Sequence, residues 1–207
     1  MVRVLLTNDN MRAVAGRAAE IIRAGGVVLY PTDTLYGLGA DALSDEAVAK
    51  IFEIKGRDEK KPVHAIVADV EMAGQYAEIT DATRQLVERL PRGKVTFVCK
   101  KKDIDTGIVK GIDTFGFRIP DSELCIEMAR AFGGPITATS ANVAGDIPQR
   151  SVERILAQLG ERARHIDLII DAGELSPSEP SSVVDMTHGA PIVLREGAIS
   201  SGDILKN

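Results

Sequence analysis

Six short segments hold most of the residues whose types and spacing could do chemistry. Tyr30-Pro-Thr-Asp-Thr-Leu-Tyr-Gly-Leu-Gly39 leaves an apolar run and offers Thr32, Asp33 and Thr34 between a stiff proline and two glycines. It reads either as a ligand loop or as a capped turn, because Thr and Asp serve both. Lys55-Gly-Arg57 through Lys61 sets cations around a glycine at a helix end. There they either complement the helix dipole or reach one phosphate, Arg57 as a planar fork and Lys55 as a point charge. Arg118 lies inside Phe115-Gly-Phe-Arg-Ile-Pro120, and a cation in an apolar strand requires a partner. That partner is a structural carboxylate or a ligand's. Ile136-Thr-Ala-Thr-Ser140-Ala-Asn142-Val-Ala-Gly145 runs from a strand into hydroxyl, amide and glycine residues of the kind that hold anions. Pro180-Ser181-Ser-Val-Val-Asp185 and Leu194-Arg195-Glu-Gly197 carry polar residues at the ends of strands.

The chemistry these segments share is the positioning of phosphate or carboxylate by cations, hydroxyls and backbone. Neither the dinucleotide fingerprint nor the P-loop spacing occurs. His64, His165 and His188 are scattered, and no nucleophile–base pair stands out. Cys99 and Cys125 lie outside any metal or disulfide pattern.

These residues must be held by an alternation of helices and strands. Helical spacing covers Met11 to Ala24, Ser44 to Lys55, Asp81 to Leu90, Ser122 to Phe132 and Ser151 to Leu159. Strand patterns cover Val27–Tyr30, Val63–Ala68, Val95–Cys99, Phe115–Ile119, Pro135–Thr139, Leu168–Ile170, Ser182–Met186 and Ile192–Arg195. About eight strands and five helices predict an α/β fold with a mixed sheet. No linker divides the chain, so residues 1–207 are expected to form one domain.

The 207 residues carry 25 Lys+Arg against 30 Asp+Glu, a net charge of −5 that argues against a generally basic nucleic-acid binder. Positive charge is concentrated in two places: Lys55 to Lys61 has net +2 and Arg84 to Lys102 net +6, leaving −13 for the rest. Such placement suits an anion site on an acidic body, or a pair of solvated faces. Aromatics are only 4% of the chain, which weighs against stacking on single-stranded nucleic acid. Without a membrane-length apolar run or a signal-peptide layout at the start, a cytoplasmic protein with no membrane partner is expected.

Taken in order, YPTDTLYGLGADA (30–42), KIFEIKGRDEKKP (50–62), FGFRIP (115–120), ITATSANVAGD (136–146), PSSVVD (180–185) and LREGAI (194–199) resemble the YrdC-like family, the threonylcarbamoyl-AMP synthases. The resemblance implies a twisted, mixed parallel/antiparallel sheet with helices around a large basic cavity. It implies a nucleotidyltransferase that condenses L-threonine, bicarbonate and ATP into threonylcarbamoyl-AMP and pyrophosphate, for threonylcarbamoyladenosine modification of tRNA. Carried residue by residue, it assigns Thr34, Arg118 and Ser181 to threonine and Arg57, Lys61, Ser140, Asn142 and Arg195 to ATP. Lys55 and Arg57 fill the family's basic pair as candidates for charge stabilisation. Mg2+ would arrive with ATP, with no protein ligand assigned. A tRNA-modifying complex is the implied partner, and the chain looks like the family's short form. The chain departs from the family's pattern at Pro91-Arg-Gly-Lys-Val-Thr96, Lys61, His64 and Pro148. A different class of function, binding double-stranded RNA or tRNA without catalysis, fits the two basic segments as well.

Overall fold

The computed structural model describes residues 1–56 and 63–206. Its first half runs β1 (Val2–Leu5), α1 (Met11–Arg23), β2 (Val28–Pro31), β3 (Tyr36–Gly39), α2 (Asp45–Lys55), β4 (His64–Ile66), α3 (Val70–Tyr76), α4 (Asp81–Arg89), β5 (Val95–Lys100) and β6 (Thr114–Arg118). Then follow α5 (Glu123–Phe132), β7 (Ile136–Ser140), α6 (Val152–Leu159), β8 (Leu168–Asp171), β9 (Ser182–Asp185), β10 (Ile192–Arg195) and α7 (Ser201–Leu205). The strands form one sheet in the order β1-β8-β2-β3-β7-β4-β6-β5-β9-β10. It is mixed: β1/β8, β8/β2, β4/β6 and β5/β9 run parallel, and the other neighbours are antiparallel.

The helix boundaries follow local chemistry. The Ser44 hydroxyl accepts from the Ala47 N–H at 3.2 Å, Asp45 and Glu46 occupy the first turn of α2, and Gly56 closes it in the left-handed region at φ 56°. Ser122 caps α5, and Gly133 ends it at φ 83°. Ser151 heads α6 without a capping bond from its side chain. On one face of the sheet α1 and α5 pack together over β2 and β8, with Ile22, Val28, Met128 and Ile170 buried between. On the opposite side α2 and α6 bury Leu29, Leu38, Ile51 and Ile155. A third cluster lies around β5 and β6, where Phe97, Phe115 and Phe117 stack.

Two strands and two α-helices exceed the sequence expectation, β1, β3, α3 and α7, as do two 3-10 helices at Gly107–Val109 and Gly160–His165. The most consequential is β3, which lies where a ligand loop was one of two readings. Tyr36–Gly39 pairs antiparallel with β2 on one side, while Gly37 and Leu38 pair with β7 on the other. Its glycines make room for a ring of the same hairpin. A Cβ on Gly39 would stand 2.7 Å from Tyr30 Cε1, and one on Gly37 would stand 3.2 Å from Tyr30 Cζ. The fully buried Tyr30 hydroxyl donates to the Thr137 carbonyl at 3.1 Å. Burial raises the phenol pKa well above its ordinary value, so Tyr30 is a neutral donor and packing group. The polar part of the motif is thereby confined to the turn Thr32–Leu35.

Candidate active site

A cavity of about 570 Å³ opens where strand ends and loops converge. Its lining combines the β2–β3 turn (Thr32, Thr34), the start of β4 (His64), the ends of β6 and β7 (Arg118, Ser140), the segment before β9 (Ser178–Ser181) and Arg195 of β10. Loop residues collected at the ends of strands are a common place for a ligand in an α/β fold.

Arg118 is the most constrained of the lining cations. The residue is 8% exposed, and its Nη1 donates to Asp33 Oδ1 at 3.1 Å, Asp33 Oδ2 at 3.0 Å and the Gly93 carbonyl at 3.0 Å. The structure supplies the structural carboxylate: Asp33 holds one nitrogen of a guanidinium that also lines the cavity. Gly93 is tied to the same strand end by its N–H, which donates to the Ile119 carbonyl at 2.8 Å.

Lys55 has a different placement. It is 3% exposed and does not belong to the solvated helix end that the dipole reading required. Its Nζ donates to the Ser140 carbonyl, to the Asn142 carbonyl at 3.0 Å and to Asn142 Oδ1 at 3.2 Å. The Lys55 carbonyl in turn accepts from the Ala144 N–H at 2.8 Å. Asn142 closes the loop, its Nδ2 donating to the carbonyls of Val143 at 2.8 Å and Asp146 at 2.9 Å, while the Ser140 hydroxyl bonds its Oδ1. Lys55 and Asn142 brace the wall from behind, and Ser140 is the member of this trio that lines the cavity.

The third wall is a joint between two loops. The Ser181 hydroxyl shares a hydrogen bond with Thr96 Oγ1 at 2.9 Å, and Arg195 Nη2 donates to the Ser181 carbonyl at 2.7 Å. The β9/β10 register slips between Val193 and Arg195, a bulge of the kind that re-aims a side chain. Gly197 packs so close that a Cβ there would lie 2.3 Å from the Pro180 carbonyl oxygen. The buried Ser182 hydroxyl accepts from Gly197 and Ile199 N–H groups at 3.0 and 3.1 Å, locking the joint. Across the cavity, Ser178 donates to the Thr34 carbonyl at 2.7 Å, and the Thr32 and Thr34 hydroxyls are 3.1 Å apart.

Of the residues singled out in sequence, Thr34, Arg118, Ser140, Ser181 and Arg195 meet at one cavity. Lys55 and Asn142 stand behind it, and Arg57 and Lys61 lie outside the described residues. His64, Arg150 and Glu179 also line the cavity without having been assigned a role. An arginine or glutamate in a loop carries no periodicity to mark it, whereas His64 shares the β4 pattern.

The expected large basic cavity takes a more mixed form. Among the described residues its walls carry three guanidinium groups and the carboxylate of Glu179, with Asp33 paired to Arg118. The second basic segment does not converge on it. Arg84 pairs with Glu71, Arg89 donates to the carbonyls of Asp203 and Ile204, and Lys101 pairs with Asp105. Burial raises the Cys125 thiol to a pKa of about 12, which removes it as a nucleophile at neutral pH. Among the described residues no helix is long and apolar enough to cross a membrane.

Residues 20–197 match the family model Sua5_yciO_yrdC, described as "Telomere recombination". The threonylcarbamoyl-AMP synthase of Pyrococcus abyssi is 35% identical over 91% of this chain, which spans 55% of that protein's length. A putative threonylcarbamoyl-AMP synthase of Methanocaldococcus jannaschii is 34% identical over 94% of this chain and 90% of its own. Among solved structures, P. abyssi Sua5 complexed with L-threonine superposes with a TM-score of 0.86 at 32% identity, covering 98% of this chain and 59% of that one. E. coli YciO superposes with a TM-score of 0.83 at 26% identity, covering 99% and 98% of the two chains. On the extent of these matches, the chain belongs to the Sua5/YciO/YrdC family.

Proposed function

We propose that this chain is an L-threonylcarbamoyladenylate synthase, a nucleotidyltransferase that joins L-threonine, bicarbonate-derived CO2 and ATP. The observation that carries the reading is Arg118, fixed through one nitrogen and bordering a cavity shared with Thr34, Ser140, Ser181 and Arg195. A rigidly held planar fork suits a carboxylate, and the hydroxyls beside it suit a small hydroxy amino acid. The names of the relatives support the same assignment.

In this reading the threonine carboxylate rests on Arg118, with Thr34 and Ser181 near its side chain. The amine gains CO2 to form a carbamate, losing a proton. A carbamate oxygen then attacks the α-phosphorus of ATP as the bond to pyrophosphate breaks. The carbamate is a weak nucleophile, so the protein's contribution is to hold two anions together in line and to stabilise the leaving charge. Arg195, the Ser140 loop and, from the family resemblance, Arg57 and Lys61 are the candidates for the nucleotide. Lys55 shapes that loop from behind. Magnesium would enter with ATP, held by phosphate oxygens and water. Among the described residues no cluster of three or more His, Cys, Asp or Glu side chains is suited to a metal. The product would pass in the cytoplasm to a tRNA-modifying complex.

The test is a product assay by mass spectrometry with ATP, bicarbonate and L-threonine. Threonylcarbamoyl-AMP and pyrophosphate should form in equal amounts, and only when all three substrates are present. Salt-sensitive binding of double-stranded RNA without turnover would overturn the reading in favour of a binding protein.

A further inference from the structure

We propose that Asp33 is a positioning residue for threonine, acting through Arg118, and that position 93 must be glycine for it to act. The inference rests on the synthase reading and extends it to a residue that touches no substrate in that reading. Three observations converge. Asp33 and Arg118 have side chains only 7% and 10% exposed, and they pair with both carboxylate oxygens on the single nitrogen Nη1. The Gly93 carbonyl, a third acceptor, fixes the same nitrogen. Gly93 itself adopts φ 74°, and a Cβ there would lie 2.2 Å from Asp33 Oδ2. Backbone and carboxylate thus close on one corner of the guanidinium from two sides. That leaves the rest of the fork directed by the clamp rather than by the ligand.

Electrostatics alone predicts the opposite contribution. A carboxylate 3 Å from the cation that should receive threonine's carboxylate opposes that anion. Removing the charge with Asp33→Asn would then tighten threonine binding. If orientation dominates, the same change weakens it, because a guanidinium free to turn must be ordered by the ligand at entropic cost. Asn is nearly isosteric but directs an amide N–H towards Nη1 in place of one acceptor. The sign of the effect therefore separates the two accounts.

Calorimetry on the full chain reads this directly, with L-threonine and ATP titrated separately into wild type, Asp33→Asn, Arg118→Lys and the double variant. Asp33→Asn should weaken threonine tenfold or more, about the cost of losing an orienting partner behind a ligand-binding group. ATP affinity should not change. In the Arg118→Lys background, where no fork remains to orient, Asp33→Asn should weaken threonine no further. Gly93→Ala, which alters no cavity-lining side chain, should reproduce the selective loss of threonine and keeps the test open if Asp33→Asn does not fold. Threonine binding that is unchanged or tighter in Asp33→Asn would overturn the assignment. Equal losses in the two backgrounds, or a parallel loss of ATP, would also overturn it by indicating a purely structural role. Absence of threonine binding by the wild type would instead remove the synthase reading on which the assignment stands.

Discussion

Two cations are buried among the described residues, and the molecule uses them in opposite ways. Lys55 directs its ammonium at oxygens of the Ser140–Asn142 loop, so its charge is absorbed in building a wall. Arg118 is tied down at a single nitrogen and remains part of the cavity surface. An ammonium with three tetrahedral donors gathers neighbouring carbonyls well. A planar guanidinium can be gripped at one corner and still present an edge. Burial alone therefore does not separate a cation spent on a wall from one left at the cavity surface; the donors already engaged do.

The sharpest test of that contrast is Arg118→Ala. Breaking a desolvated charge pair costs about 2–5 kcal/mol, so threonine affinity should fall thirtyfold or more while ATP affinity stays close to wild type. Leaving Asp33 without its counter-charge also lowers thermal stability, so calorimetry is read well below the transition. Unchanged threonine affinity in a folded variant would end the distinction between the two cations.

Lys55→Met should give the complementary pattern. It leaves the loop carbonyls and the Asn142 amide oxygen without their common donor, at an expected cost of about 3 kcal/mol. For a chain of this size that corresponds to a fall in Tm of roughly 6–12 °C by scanning calorimetry. Because Lys55 braces the Ser140 loop assigned to the nucleotide, ATP should weaken more than threonine. A variant that melts like wild type and loses only turnover would place Lys55 on the phosphates instead.

The legibility of these features in the sequence follows the range of the interactions behind them. Helices α2 and α5 were readable because cap, acidic first turn and terminal glycine lie within one short segment. Strand β3 was not, because two glycines in four residues give no strand signal even beside its hairpin partner β2, and its pairing with β7 spans about a hundred positions. The need of Arg118 for a partner could be read, but not which partner, since Asp33 lies 85 residues away. The one available signal was that Asp33 is the sole acid in an otherwise neutral turn motif. For Lys55 the sequence offers a dipole-complementing helix end or a phosphate ligand, but not a brace for a loop, because nothing local reveals that residues 140–144 return to cover it.

The smallest effect probes the loop before β9. Ser178 joins that loop to the β2–β3 turn by one bond, from its hydroxyl to the Thr34 carbonyl at 2.7 Å. Ser178→Ala removes a single half-buried hydrogen bond, worth about 1 kcal/mol. If that bond only holds the turn in place for binding, ground state and transition state lose it equally. The KM for threonine should then rise about fivefold with kcat unchanged. Steady-state rates of pyrophosphate release at saturating ATP measure both. A fall in kcat at constant KM would mean instead that the bond holds the turn only in the transition state, so that Ser178 contributes to turnover and not to binding.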